Sequence, residues 1–157
     1  MKLGKSSLDD IAKIQPDAVK RRRISSYDLY GGNRDWIEIK SGEIVSLGEF
    51  KGSGSIKHIW CTSMCFSKNY LRHVILRMYW DGEAEEKPSV EVPLGDFFGM
   101  GHAEKTDFVS LPLQMSPQGG RGFNCWWPMP FSEGFKITLE NKNEKKNKFC
   151  YYMDYEM

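Results

Sequence analysis

Apolar and polar residues alternate with period two through most of the chain beyond Trp36, the spacing of strands with one buried face. Val74, Leu76, Met78 and Trp80 form one apolar row broken by Arg77 and Tyr79, and Asp81-Gly82 supplies a turn. Phe135, Ile137 and Leu139 face one way while Lys136, Thr138 and Glu140 face the other. Tyr151, Met153, Tyr155 and Met157 repeat the pattern. Weaker strands are expected at 36–40, 43–50, 55–62, 89–93, 107–114 and 122–127. Ahead of them, Ser7 with Asp10 resembles a capping box, and Leu8, Ile11, Ala12 and Ile14 give a short helical stripe that closes before Pro16. Residues 17–35 read as an irregular polar loop. The Asn141–Lys148 stretch reads as a solvated hairpin loop. The expected architecture is all-β, an antiparallel β-sandwich of jelly-roll type with one short N-terminal helix. Residues 1–35 pack onto a jelly roll of residues 36–157, giving a single domain. Such folds host lectins, capsids, oxygenases and hydrolases, so architecture alone gives no function.

Composition narrows the class. A chain of 157 residues that is 40% hydrophobic and 27% charged suits one domain with a true core. A formal charge of +1 offers no global attraction to nucleic acid or acidic lipid. No apolar run reaches membrane-spanning length, and the N-terminus lacks the apolar core of a signal peptide. Four cysteines do not define a disulfide framework, so a reduced, cytoplasmic protein is the default expectation. Neither nucleic acid nor membrane is expected as a partner, and no cofactor is expected.

Three stretches carry candidate chemistry. In the first, Gly95-Asp96-Phe97-Phe98-Gly99 and His102 follow a strand ending at Pro93. Asp96 and His102 suit sugar hydroxyls and Phe97 or Phe98 a sugar face; equally, both phenylalanines fit a core with Asp96 capping a turn. In the second, Trp126 and Trp127 are adjacent on a strand and point to opposite faces. At most one is core on a given side, and the other covers a second surface, as a sugar platform or, at least as readily, a subunit contact or a second core layer. Pro128 and Pro130 confine this run to an edge or a strand end. In the third, Asp28, Asn33 and Asp35 could line a polar pocket, although such loops are more often simple turns. Glycoside hydrolysis needs two carboxylates across the scissile bond. Asp28, Asp35, Asp81, Glu91 and Asp96 qualify by type, and no spacing singles out a pair. His58, Cys61 and Cys65 have a metal-like composition, but residues 58 and 61 fall on opposite faces of a continuous strand, so no metal site is expected. Cys125 and Cys150 read as small core residues. The Lys20–Arg23 run reads as a solvated face.

At these segments the chain resembles glycoside hydrolase family 172. The resemblance lies in Ser26-Tyr27-Asp28 with Gly31-Gly32-Asn33, in Gly54 through Trp60, and in Leu76 through Gly82. It continues in Pro88 through Gly99 and Arg121 through Phe131, in family order from about residue 7 onward. It implies tandem jelly rolls that form trimers or hexamers, a retaining reaction on α-fructofuranosides or arabinofuranosides, and a glutamate nucleophile with a glutamate acid/base. It also implies that both glutamates lie beyond the first jelly roll, so no catalytic role transfers to a residue here. The expectation is therefore the N-terminal half of a furanoside-cleaving enzyme, truncated or split and incomplete for catalysis alone. Its partners would be carbohydrate and either further copies of itself or a second jelly-roll half. Asp28, Asn33, Asp35, Asp96, Phe97, His102 and Trp126 are its candidate substrate-binding residues. The competing reading is a non-catalytic module that binds carbohydrate or protein.

Overall fold

The computed structural model describes residue 14 and residues 18–157. The helix expected ahead of Pro16 therefore lies, Ile14 aside, outside the described residues. The remainder is an antiparallel β-sandwich of jelly-roll class. The larger sheet contains β1 (Arg21–Ser25), β2 (Ile37–Ile39), β4 (Gly54–Met64), β7 (Phe108–Val109), β8 (Leu113–Met115), β9 (Phe123–Cys125), β10 (Met129–Phe131) and β12 (Asn147–Glu156). Its main path runs β1-β12-β4-β9-β8-β7, with β2 paired to β12 and β10 to the start of β4. The smaller sheet runs β3-β11-β5-β6, built from Ile44–Lys51, Gly134–Asn141, Val74–Trp80 and Val90–Pro93.

Alternation explains how the two sheets close on each other. Every second residue of β12 is buried from Asn147 through Tyr155, and Phe149 and Met153 meet Leu76, Ile137 and Leu139 in one core. Phe98 and Phe123, both with no exposed surface, fill the space beside them. Of the two adjacent phenylalanines, Phe98 is core and Phe97 only borders it.

Three segments differ from the sequence pattern for identifiable reasons. Residues 21–25, expected in an irregular loop, form β1, in register with β12 from Arg21 opposite Glu156 to Ser25 opposite Tyr152. Three successive arginines hide a strand from any apolar template, and cross-strand charge pairs take the place of the missing apolar row. The expected strand at 107–114 is instead the short pair β7 and β8, folded back at Ser110–Pro112. Asn141–Lys148 is not a hairpin loop, because it carries the chain from β11 in the small sheet to β12 in the large one. Asn141, Asn143 and Asn147 are buried there. The Asn141 amide donates to the Ile39 and Lys145 carbonyls at 2.9 and 3.0 Å, which replaces the ladder bonds that the crossing removes. A single helical turn, α1 (Leu94–Phe97), also follows β6, where the pattern had shown no second helix.

Candidate functional site

A bulge shapes the principal cleft. Asp154 pairs with His58 but Tyr155 pairs with Ile56, so Lys57 is an extra residue on β4. The extra residue breaks alternation, and Lys57 and His58, although neighbours, line the same cleft. Gly54 lets the strands approach here, since a Cβ at that position would run into the Glu156 carbonyl oxygen and the Phe131 ring. Arg21, Arg22 and Arg23 from β1 and Asp154, Tyr155 and Glu156 from β12 supply most of the remaining wall, and Trp126 completes it. The cleft encloses about 740 Å³, within the range that holds small-molecule ligands.

Trp126 and His58 give the cleft an aromatic edge. The Trp126 indole lies parallel to the His58 imidazole, with ring centroids 4.9 Å apart and an interplanar angle of 1°. His58 meets Tyr152 edge-on at 5.4 Å, and Tyr152 stacks on Trp60 at 5.2 Å. The Arg23 guanidinium lies 4.1 Å from the centre of the Tyr152 ring and forms a two-pronged ion pair with Asp154, at 2.6 and 2.8 Å. Both Asp154 oxygens are thus occupied. Arg21 donates through Nε to Glu156 at 3.0 Å, while Lys57 approaches the other Glu156 oxygen at 3.5 Å.

Burial pushes the His58 pKa below the ordinary 6.5, against smaller upward contributions from Asn124 and Asp154. Its Nε2 lies 3.2 Å from Asn124 Oδ1, an arrangement that places the proton on Nε2. Nδ1 then faces Asp154 at 3.9 Å, too far for a hydrogen bond.

Of the seven candidate substrate-binding residues, Trp126 alone lines this cleft, joined by His58, weighed in the sequence only as a metal ligand, and by Arg21–Arg23, read there as a solvated face. Trp126 is 39% exposed and Trp127 is 53% exposed, so neither tryptophan is core. Trp127 faces a separate apolar groove with Phe97, Trp80 and Met129. Asp28, Asn33 and Asp35 share one turn. Asp28 accepts the backbone N–H groups of Tyr30 and Arg34, which hold its carboxyl below the usual range, and the Asp28 N–H donates to Asp35 at 2.8 Å. Asn33 sits in the same turn with a left-handed φ of 56°. Asp96 is ion-paired to Arg72, and His102 is an exposed residue with a φ of 59°. His58 points outward and Cys61 lies in the core, so the two do not converge.

The sequence reading missed the charged wall. Its signal was an Arg-x-Arg on one strand matched to an Asp-x-Glu on another, at the spacing of residues that share a strand face.

A family model described as GH172 domain-like matches residues 33–151, well over half of the chain. The chain belongs to the GH172 domain-like family. Within the GH172-like span lie Lys57, His58, Asn124 and Trp126, while Arg21–Arg23, Tyr152, Asp154 and Glu156 lie outside it. This makes the protein a glycoside hydrolase-related module. No curated protein matches the chain. Two similar solved structures are the infectious bursal disease virus VP2 subviral particle and the infectious bursal disease virus Gx strain. The first has 7% identity and a TM-score of 0.48, covering 90% of this chain and 33% of that one. The second has 8% identity and a TM-score of 0.43, covering 90% and 32%. The chain spans about a third of the length of either. Among the described residues, no helix is long and apolar enough to cross a membrane.

Proposed function

We propose that this glycoside hydrolase-related module binds an α-furanoside carbohydrate, an arabinofuranoside or fructofuranoside, in the cleft between β1, β4 and β12. The observation that carries this reading is the half-exposed Trp126 indole, held flat by its stack on His58 at the rim of a charged cleft. A fixed aromatic plane takes the apolar face of a sugar ring, and the Arg21 guanidinium, engaged only through Nε, has donors left for its hydroxyls.

The cleft positions a substrate rather than cleaving it. Retaining hydrolysis needs two carboxyl groups about 5 Å apart, one of them able to release and recover a proton. Asp154 has both oxygens bound to Arg23, and Glu156 lies between Arg21 and Lys57. Hydrolysis would draw its carboxyl pair from a second jelly roll or from a neighbouring copy in a trimer or hexamer.

Calorimetric titration with an α-1,5-arabinofuranose oligosaccharide and with a fructofuranoside tests the reading. Wild-type binding of either, lost in Trp126→Ala, supports it. Absence of binding to both overturns it. An assay of the same chain on aryl α-furanosides tests the catalytic half of the statement, since turnover by the chain alone would place an active carboxyl pair within it.

A second reading, an assembly module, draws on the groove of Trp127, Met129, Phe97 and Trp80, an apolar surface of the kind found at subunit contacts. Size-exclusion chromatography separates the two readings, because Trp127→Ser would dissociate an assembly and leave sugar binding at Trp126 in place.

A further inference from the structure

The cleft carries more positive charge than its own carboxylates offset. Arg21, Arg22, Arg23 and Lys57 line it against Asp154 and Glu156, four cations against two anions. The whole chain carries a formal +1, so the other charged residues together contribute no positive excess.

The four cations differ in how far they are already engaged. Arg23 is closed by its fork on Asp154 and its contact with Tyr152. Arg21 uses only Nε, and its side chain is 72% exposed. Arg22, on the same edge strand, reaches the Arg21 carbonyl at 3.4 Å and has no carboxylate partner among the described residues. Lys57 is turned into the cleft by the bulge and stands 3.5 Å from Glu156. Planar donor groups therefore face the cleft beside the Trp126 platform. A guanidinium presents paired N–H groups that match a phosphate or a carboxylate.

We propose that the carbohydrate taken by this cleft carries one discrete anionic group, a phosphate or a carboxylate, held by Arg21, Arg22 and Lys57 while a sugar ring lies on Trp126. This inference rests on the carbohydrate reading above and adds the ligand's charge to it. A single anion fits better than a polyanionic chain, because Asp154 and Glu156 stand in the same cleft and would repel successive phosphates. Of the three cations that hold the anion, Lys57 lies within the family match at residues 33–151, whereas Arg21 and Arg22 lie ahead of it.

The test is calorimetric titration of the full chain with methyl α-arabinofuranoside, its 5-phosphate, its C5 uronate and a short oligouridylate. At low salt the charged sugar is expected to bind about tenfold more tightly than the neutral one. That advantage should largely vanish near 1 M salt, where the screening length falls to roughly 3 Å. Arg22→Gln and, separately, Lys57→Gln should each reduce the charged-to-neutral affinity ratio severalfold. The tighter of phosphate and uronate identifies the anion. Equal affinity for charged and neutral sugars overturns the inference and leaves the carbohydrate reading standing, whereas no binding of any sugar overturns both. Tighter binding of oligouridylate than of the sugar phosphate overturns the inference in favour of a nucleic-acid groove.

Discussion

On the outer face of the small sheet, Arg77 donates to Glu140 at 2.8 Å and to Glu91, Lys136 pairs with Glu85, and Lys142 stands 3.6 Å from Glu140. On the outer face of the large sheet, the same alternation turns out Arg23, His58, Trp60, Tyr152 and Asp154, flanked by Arg21, which is engaged only through Nε, and by Arg22, which has no carboxylate partner among the described residues. Both rows are polar positions of a period-two pattern. The charges of the first pair with one another across neighbouring strands, whereas the second leaves a flat aromatic surface and guanidinium donors only partly engaged. Which outward row is a site thus depends on what remains unpaired after the strands have come together.

Four measurements can break or sharpen this contrast. The largest effect belongs to the core beneath both faces. Phe123→Ala should cost about 3–5 kcal/mol by leaving a cavity, read as a lower urea midpoint with both sheets unfolding together; separate transitions would mean that the faces are independent. Next, Trp126→Ala should weaken sugar binding at least about tenfold, near 1.4 kcal/mol, with little change in melting temperature. Its counterpart is Arg77→Ala on the small sheet. That change should cost about 1 kcal/mol of stability and leave sugar affinity unchanged, in the same titration and melting assays.

The smallest effect is a pH profile at Asp81, whose Oδ1 accepts the backbone N–H groups of Ser132, Glu133 and Gly134. The Glu133 N–H contributes most to holding its carboxyl below the ordinary 3.8. A carboxyl depressed in the folded state adds stability that is complete above its unfolded value and is lost as pH falls through the folded one. The stability gap between wild type and Asp81→Asn should therefore be flat above about pH 5 and should shrink in more acid solution. A gap that widened on acidification would contradict the clamp.

Most of the sandwich was legible where apolar residues alternate, as in Val74–Trp80 and in the Tyr151, Met153 and Tyr155 row. β1 was not, because Arg21–Arg23 carry no apolar signal and depend on Asp154 and Glu156, more than a hundred residues away in sequence. The three buried asparagines between β11 and β12 were hidden for a related reason: Asn141 donates to the Ile39 carbonyl, Asn143 donates to the Tyr70 carbonyl and Asn147 accepts the Ser63 hydroxyl, all partners distant in sequence. At the site, Trp126 stood out by composition. His58 drew notice only beside two cysteines, since the bulge that turns it toward Trp126 is a property of pairing. The Asp28 turn and the Asp96–Arg72 pair show the converse, in which residue types suited to sugar contacts are engaged by the protein itself.

The position of β12 between β1 and β4 also bears on how a nascent chain acquires this shape. The small sheet can assemble once β11 has left the ribosome, whereas β1 and β4 must wait for Asn147–Glu156 to be translated before the large sheet can close. Until then Ile56, Ile59 and Cys61 have no strand on one side of them, and the cleft does not exist. Closing a loop of that length is entropically slow, so synthesis should pass through an interval in which one sheet is formed and the apolar side of the other is exposed to chaperones.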